Sequence, residues 1–170
     1  PLSPYGISKL NFENYLNYFS KIKKFGCKTT IIRPSNIYGP WQNPYGEAGV
    51  VSIFADKMLK NENVSIFGDG SEYRDYIYID DIIEFVLKAI IDKAEGTFNI
   101  SSGKITKTIE IYNHISNIIG YIKPPIFLDK REGDIFGIEI DNSKSKSIGW
   151  SPRYDLKSGL ENTVKFLKEK

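Results

Sequence analysis

The chain has 170 residues, 41% hydrophobic and 26% charged, with 23 basic side chains against 21 acidic ones. This is the composition of a globular protein able to bury a core, and so even a charge balance argues against the clustered basic surface that nucleic acids require. The longest apolar stretch, Ile82 to Ile91, is broken by Glu84 and Lys88 and falls far short of the ~20 residues a bilayer-spanning helix needs.

In chain order, Ser3-Pro4 reads as a helix N-cap followed by proline at the first helical position, and with no element before it the chain is expected to start mid-fold. Phe12, Tyr15, Leu16, Phe19 and Ile22 then form a helical apolar stripe, and the spacing predicts a helix over 4–25. Thr29 to Ile32 is a β-branched run that reads as a buried strand ending at Arg33-Pro34. Residues 39–49 are rich in glycine and proline and carry Trp41 and Tyr45, the pattern of an ordered surface loop, and a helix follows over 48–61. Strands are predicted at Val64–Phe67 and Tyr76–Ile79, flanking the turn Gly68-Asp69-Gly70. Asp80-Asp81 is expected to cap a helix reaching Lys93, and Thr97–Ile100 is another strand. Ile111, Ile115, Ile118 and Ile122 mark a helix ended by Pro124-Pro125, and Asp155 opens the last one. Mixed α/β architecture follows, with no repeat and no linker.

Two features point to chemistry. Lysines number nineteen and arginines four, Arg33, Arg74, Arg131 and Arg153, so each arginine is an uncommon choice. A guanidinium grips phosphate through two parallel hydrogen bonds where an ammonium is a point charge, which makes Arg74 and Arg131 candidates for anion recognition; a surface ion pair is the plain alternative. Tyr5 and Lys9 are spaced i, i+4 near a helix start and share a face. Tyrosine is a poor base at neutral pH, but a neighbouring ammonium favours its phenolate and suits it to accept a proton from a hydroxyl group. The single cysteine, Cys27, reads as a small buried thiol in a reducing, cytoplasmic setting. His114 stands alone without metal-ligand spacing, so no metal is expected. Trp41 and Tyr45 fit loop packing at least as well as ligand stacking.

The segment from Ser3 to Lys9, SPYGISK, resembles the active-site helix of the extended short-chain dehydrogenase/reductase family, the NAD-dependent nucleotide-sugar epimerases and dehydratases. Arg33 to Pro40 (RPSNIYGP) resembles a second block, Gly68-Asp69-Gly70 with Arg74 to Asp81 (RDYIYIDD) a third, Arg131 to Asp134 (REGD) a fourth, and Gly149 to Pro152 (GWSP) completes the set. The likeness is greatest to epimerases acting on UDP-hexoses and covers nearly the whole chain. It implies the C-terminal portion of a Rossmann-like NAD-binding fold with the smaller substrate-binding α/β subdomain. The glycine-rich strand, turn and helix that seat the dinucleotide are expected to lie outside residues 1–170.

In that family Tyr5 would be the catalytic base, with Lys9 assisting it and holding the nicotinamide ribose, and Pro34 and Ser35 would pass near the nicotinamide. Asn36, Arg74 and Arg131 would hold the substrate diphosphate and Asp134 the ribose hydroxyls. Gly49, Val50, Val51, Ile66 and Phe67 would line the nucleotide pocket. The implied activity is that of a nucleotide-sugar 4-epimerase using NAD and a UDP-sugar, working as a homodimer in the cytoplasm, with no nucleic-acid or membrane partner. A 4,6-dehydratase, decarboxylase or reductase of the same family, or a noncatalytic nucleotide-sugar-binding or dimerisation module, are the alternative readings.

Overall fold

A computed structural model describes residues 1, 3–22, 26, 28–45, 49–131, 133 and 135–169. Helix α1 spans Pro4–Lys21, and the Ser3 hydroxyl caps it by accepting from the Gly6 amide at 3.1 Å, with proline at the first position as the sequence predicts. It ends at Lys21 because Ile22 turns to extended backbone, short of the expected 25; residues 23–25 and Cys27 lie outside the described residues. Strands β1 (Thr30–Pro34) and β2 (Asn36–Tyr38) are separated only by Ser35 and belong to different sheets. Helix α2 covers Val50–Leu59, β3 Ser65–Phe67, β4 Tyr73–Tyr78 and α3 Ile79–Ile91. Then follow β5 (Gly96–Ile100), β6 (Ile105–Lys107), α4 (Thr108–Ile119), β7 (Ile126–Leu128), α5 (Ser143–Ser147) and α6 (Leu156–Glu169).

The class is α/β with parallel pairing. β1 runs parallel to β5, β2 to β4 and β3 to β7, and among the described residues only β6 is antiparallel to its neighbour β4. Apolar residues settle into two cores. The larger joins Tyr38, Tyr76 and Tyr78 of the central sheet to Phe54 and Met58 of α2, Ile111, Tyr112 and Ile115 of α4 and Leu160 and Val164 of α6. The smaller packs Phe85 of α3 against Phe98 and Trp150, with ring centroids 5.5 and 5.6 Å apart. Burying a side chain of this size contributes roughly 1.5–3 kcal/mol, so these rings anchor α3 to the β1–β5 pair. Helix α1 contributes no buried residue, and its expected stripe stays open, with Phe12 61% and Tyr15 64% exposed. It is tied to β1 instead by a two-pronged pair, Arg33 Nε donating to Glu13 Oε1 at 2.8 Å and its Nη2 to Oε2.

Several boundaries differ from the sequence reading for local reasons. Helix α4 stops at Gly120, which takes the left-handed conformation (φ 79°) while the amides of Gly120 and Tyr121 both donate to the Ser116 carbonyl, before the prolines are reached. Ile122 therefore lies outside the helix and is 94% exposed. Asp80 and Asp81 are not caps. The N-cap is Tyr78, and Asp81 falls in the first turn, buried, accepting from the amides of Arg153 at 2.8 Å and Tyr154 at 3.3 Å. That carboxylate fastens the segment before α6 onto α3, and burial raises its pKa against the opposing pull of the two amides.

Candidate functional site

Helical periodicity divides α2 between two surroundings. Val50, Ile53, Phe54 and Lys57 recur at i, i+3, i+4 and i+7 and line a cleft, while Val51, Ala55 and Met58 point to the core. Val51, expected beside Gly49 and Val50 in the nucleotide pocket, is thus 1% exposed among core side chains and does not line the cleft. Across the cleft, the period of two in an extended chain brings Glu72, Arg74 and Tyr76 to one face, and Asn36 joins them because β2 pairs with β4 in the register Asn36↔Tyr76. The ends of the β3–β7 pair close the third side with Ser65, Ile66, Phe67 and Leu128, and Arg131 follows. The enclosed space is about 520 Å³.

Seven of the residues singled out for substrate binding, Asn36, Gly49, Val50, Ile66, Phe67, Arg74 and Arg131, meet in this cleft. Its electrostatics favour an anion. Helix α2 has no acidic residue in its first turn and no side-chain cap on its N-terminus, where the helix dipole is positive. Arg74 Nη1 donates to the carbonyls of Tyr73 at 2.8 Å and Phe136 at 3.2 Å, and Nη2 to that of Ile135 at 2.7 Å. Two of its five N–H donors thereby hold the 135–136 segment and a third bonds the Tyr73 carbonyl, which among the described residues leaves two for a ligand. The Arg131 guanidinium stacks on the Phe67 ring, 3.7 Å from its centroid. Burial pushes the Tyr76 hydroxyl up to about 12 against the opposing Arg74 charge, so at neutral pH it stays a neutral donor.

Lys57, Glu72, Tyr76 and Thr108 also line the cleft and escaped the sequence reading. The signal was present as period: Glu72 and Tyr76 stand two residues either side of Arg74, and Lys57 lies two helical turns beyond Val50. Asp134 lies outside the described residues.

The residues expected on the cofactor side sit apart from this cleft. Tyr5 and Lys9 share the exposed face of α1, with the Lys9 ammonium 5.3 Å from the centroid of the Tyr5 ring. Pro34 is exposed at the C-terminal end of β1, where ligands of open parallel sheets lie. Ser35 is turned inward, its hydroxyl donating to Asp75 Oδ1 at 2.9 Å. Asp75 also accepts from the Ser102 amide at 2.8 Å, the Ser102 hydroxyl at 3.0 Å and the Gly103 amide at 2.8 Å. One buried carboxylate thus ties the β1–β2 bend, and Asn36 beside it, to the turn after β5. A phenol and an ammonium one helical turn apart, with an exposed strand end, supply donors and acceptors of the kind that ribose hydroxyls and a nicotinamide require.

Other candidates resolve as structure. His114 is exposed on α4. Trp41 packs on Phe166 with centroids 4.9 Å apart, and the Tyr45 hydroxyl accepts from Lys60. Among the described residues no three His, Cys, Asp or Glu side chains come together as a metal cluster, and no helix is long and apolar enough to cross a membrane.

Parallel strand pairs flanked by helices, with an arginine-bearing cleft at strand ends and a helix N-terminus, define an α/β protein suited to a phosphorylated small molecule. Residues 1–101 match the model of the NAD dependent epimerase/dehydratase family, and the chain belongs to that family. It is 37% identical over 172 residues to a UDP-glucose 4-epimerase of Mycolicibacterium smegmatis, covering 100% of this chain and 54% of that protein. It is 32% identical over 176 residues to a dTDP-4-dehydro-6-deoxyglucose reductase of Escherichia coli, covering 99% and 53%. The crystal structure of a UDP-glucose 4-epimerase with UDP-glucose from Thermotoga maritima superposes with a TM-score of 0.93 at 42% identity, covering 99% of this chain and 54% of that one. The fold is accordingly Rossmann-like, and the chain spans about half the length of the curated relatives it matches.

Proposed function

We propose that this chain is the substrate-holding half of a nucleotide-sugar 4-epimerase that takes a UDP-hexose. The observation that carries the reading is the meeting, in one cleft, of Asn36, Arg74, Arg131 and the uncapped start of α2 with the apolar Ile66 and Phe67. Such a site offers charge to a diphosphate and apolar surface to a base. Similarity to UDP-glucose 4-epimerases supports the same substrate class.

In this reading Arg74 and Arg131 bind the diphosphate, and Asn36 orients it through its amide. Tyr5 accepts the proton of the sugar 4-hydroxyl and later returns it to the same oxygen, with Lys9 one helical turn away beside it. Tyr5, Lys9 and the backbone at Pro34 and Ser35 would hold NAD, which would supply a hydride acceptor and donor at the sugar carbon. The 170 residues contain no glycine-rich strand, turn and helix of the kind that seats a dinucleotide. The chain alone is therefore expected to bind UDP weakly and not to turn over. A cytoplasmic homodimer, joined through the apolar face of α1, belongs to the same proposal.

Isothermal titration with UDP and UDP-glucose tests it. Measurable binding is expected, weakened about tenfold or more by Arg74→Ala or Arg131→Ala, since a hydrogen bond to a charged group contributes roughly 1.5–3 kcal/mol. No binding of either ligand overturns the substrate class, and epimerase activity from the chain alone overturns the division of labour. A second reading, a reductase on the same nucleotide site, rests on similarity to the Escherichia coli enzyme; tighter binding of dTDP than of UDP would favour it.

A further inference from the structure

Glu72 is an anomaly in a cleft otherwise built for an anion. Its side chain is 14% exposed, Oε1 lies 3.5 Å from Lys130 Nζ, and Oε2 is buried with no hydrogen-bond partner among the described residues. A buried carboxylate oxygen left unpaired costs free energy, and retaining one beside a binding cleft is explained when a ligand supplies the missing donor. The backbone that carries it is also held in place. The Glu72 carbonyl accepts from the Thr108 amide at 2.9 Å and its hydroxyl at 3.1 Å. Gly68, in the left-handed region at φ +74°, leaves the space the side chain occupies, for a Cβ there would stand 2.6 Å from Glu72 Oε1.

Position along the strand says which part of a ligand Glu72 meets. Asn36 and Tyr76 mark one end of the cleft, Arg74 the middle, and Glu72 the other end beside Phe67 and Gly68. Four residues of extended chain span up to roughly 13 Å. That matches a nucleoside diphosphate laid with its phosphates over Arg74. An acidic acceptor cannot face a phosphate favourably, but it suits a neutral N–H or O–H donor. The geometry points to Glu72 as the residue that selects the nucleoside, its carboxylate accepting a hydrogen bond from the imide N–H of the base or a ribose hydroxyl. This rests on the nucleoside-diphosphate reading of the cleft.

The test measures dissociation constants of UDP, inorganic pyrophosphate, N3-methyl-UDP and 2′,3′-dideoxy-UDP for the wild-type protein, Glu72→Ala and Glu72→Gln, with circular dichroism confirming each variant's fold. Glu72→Ala is expected to weaken UDP about tenfold or more while leaving pyrophosphate unchanged or tighter. The analogue lacking the relevant donor should bind wild type and variant alike, which identifies that donor. Glu72→Gln keeps an acceptor and should lose less, and it carries the comparison if the alanine variant does not fold. Equal weakening of UDP and pyrophosphate, tighter UDP binding, or undiminished effects with both analogues would overturn the inference while leaving the cleft a diphosphate site. Absence of wild-type binding to both UDP and pyrophosphate would defeat the underlying reading as well.

Discussion

Removing the Asp75 carboxylate should loosen the bend that presents Asn36. In Asp75→Ala the Ser35 hydroxyl and the amides of Ser102 and Gly103 lose an acceptor at 2.8–2.9 Å. Each such loss costs roughly 1–3 kcal/mol when buried. Ser35 is buried, but Ser102 is half-buried and Gly103 exposed, so water recovers part of the cost and the expected sum is about 3–5 kcal/mol. In a chain of this length that lowers Tm by about 10 °C. Asp75→Asn keeps one acceptor oxygen but turns an NH₂ towards one of the donors, at about 1.5–3 kcal/mol, and Ser35→Ala removes a single bond for about 1 kcal/mol. Urea denaturation gives these differences, and a double-mutant cycle between Asp75→Asn and Ser35→Ala isolates their coupling. Hydrogen exchange should show the Ser102 and Gly103 amides losing protection in Asp75→Ala. A destabilisation below about 1 kcal/mol with those amides still protected would refute the anchoring role assigned to this carboxylate.

Two further outcomes follow from other contacts. The Arg33 guanidinium holds the Glu13 carboxyl below its usual range, so this pair stabilises the docking of α1 fully above the ordinary glutamate pKa and loses that contribution as pH falls through the depressed one. Hydrogen exchange of α1 amides between pH 6 and about pH 3 should show that loss in the wild type and a flatter profile in Glu13→Gln. Gly159→Ala gains about 1 kcal/mol of helix propensity but drives a methyl group against the Tyr38 hydroxyl, for a net loss of about 1–2 kcal/mol. Thermal denaturation should show Tyr38→Phe recovering only part of it, since the ring Cζ would still stand 2.8 Å from the new methyl, and an unchanged Tm for Gly159→Ala alone would show that α6 shifts freely.

The larger elements were legible because their signals are local. Ser3-Pro4 sets the start of α1, and the isoleucine spacing of α4 marks a buried stripe whatever surrounds it. β6 and β7 were not legible, being three residues each, with β7 exposed and given its strand character by pairing with β3. The site divides the same way. Scarcity drew attention to Arg74 and Arg131, and both line the cleft. The Val51 side chain turns to the core and Glu72 joins the cleft, neither of which was legible, because a reading by contiguous segments ignores that adjacent residues on a helix or strand face different ways.

By itself the sequence determined the α/β class, the resemblance in ordered blocks, and the residue types available for chemistry, all of which reside in composition, period and spacing along one chain. Tertiary structure alone decided which of those residues meet. The β2–β4 register set Asn36 beside Tyr76, the β3–β7 pair brought Phe67 under Arg131, and Asp81 became a clasp for the segment before α6. Contacts between residues about 40 to 70 positions apart depend on how sheets and helices pack, and packing is a property of the whole fold that no local pattern encodes.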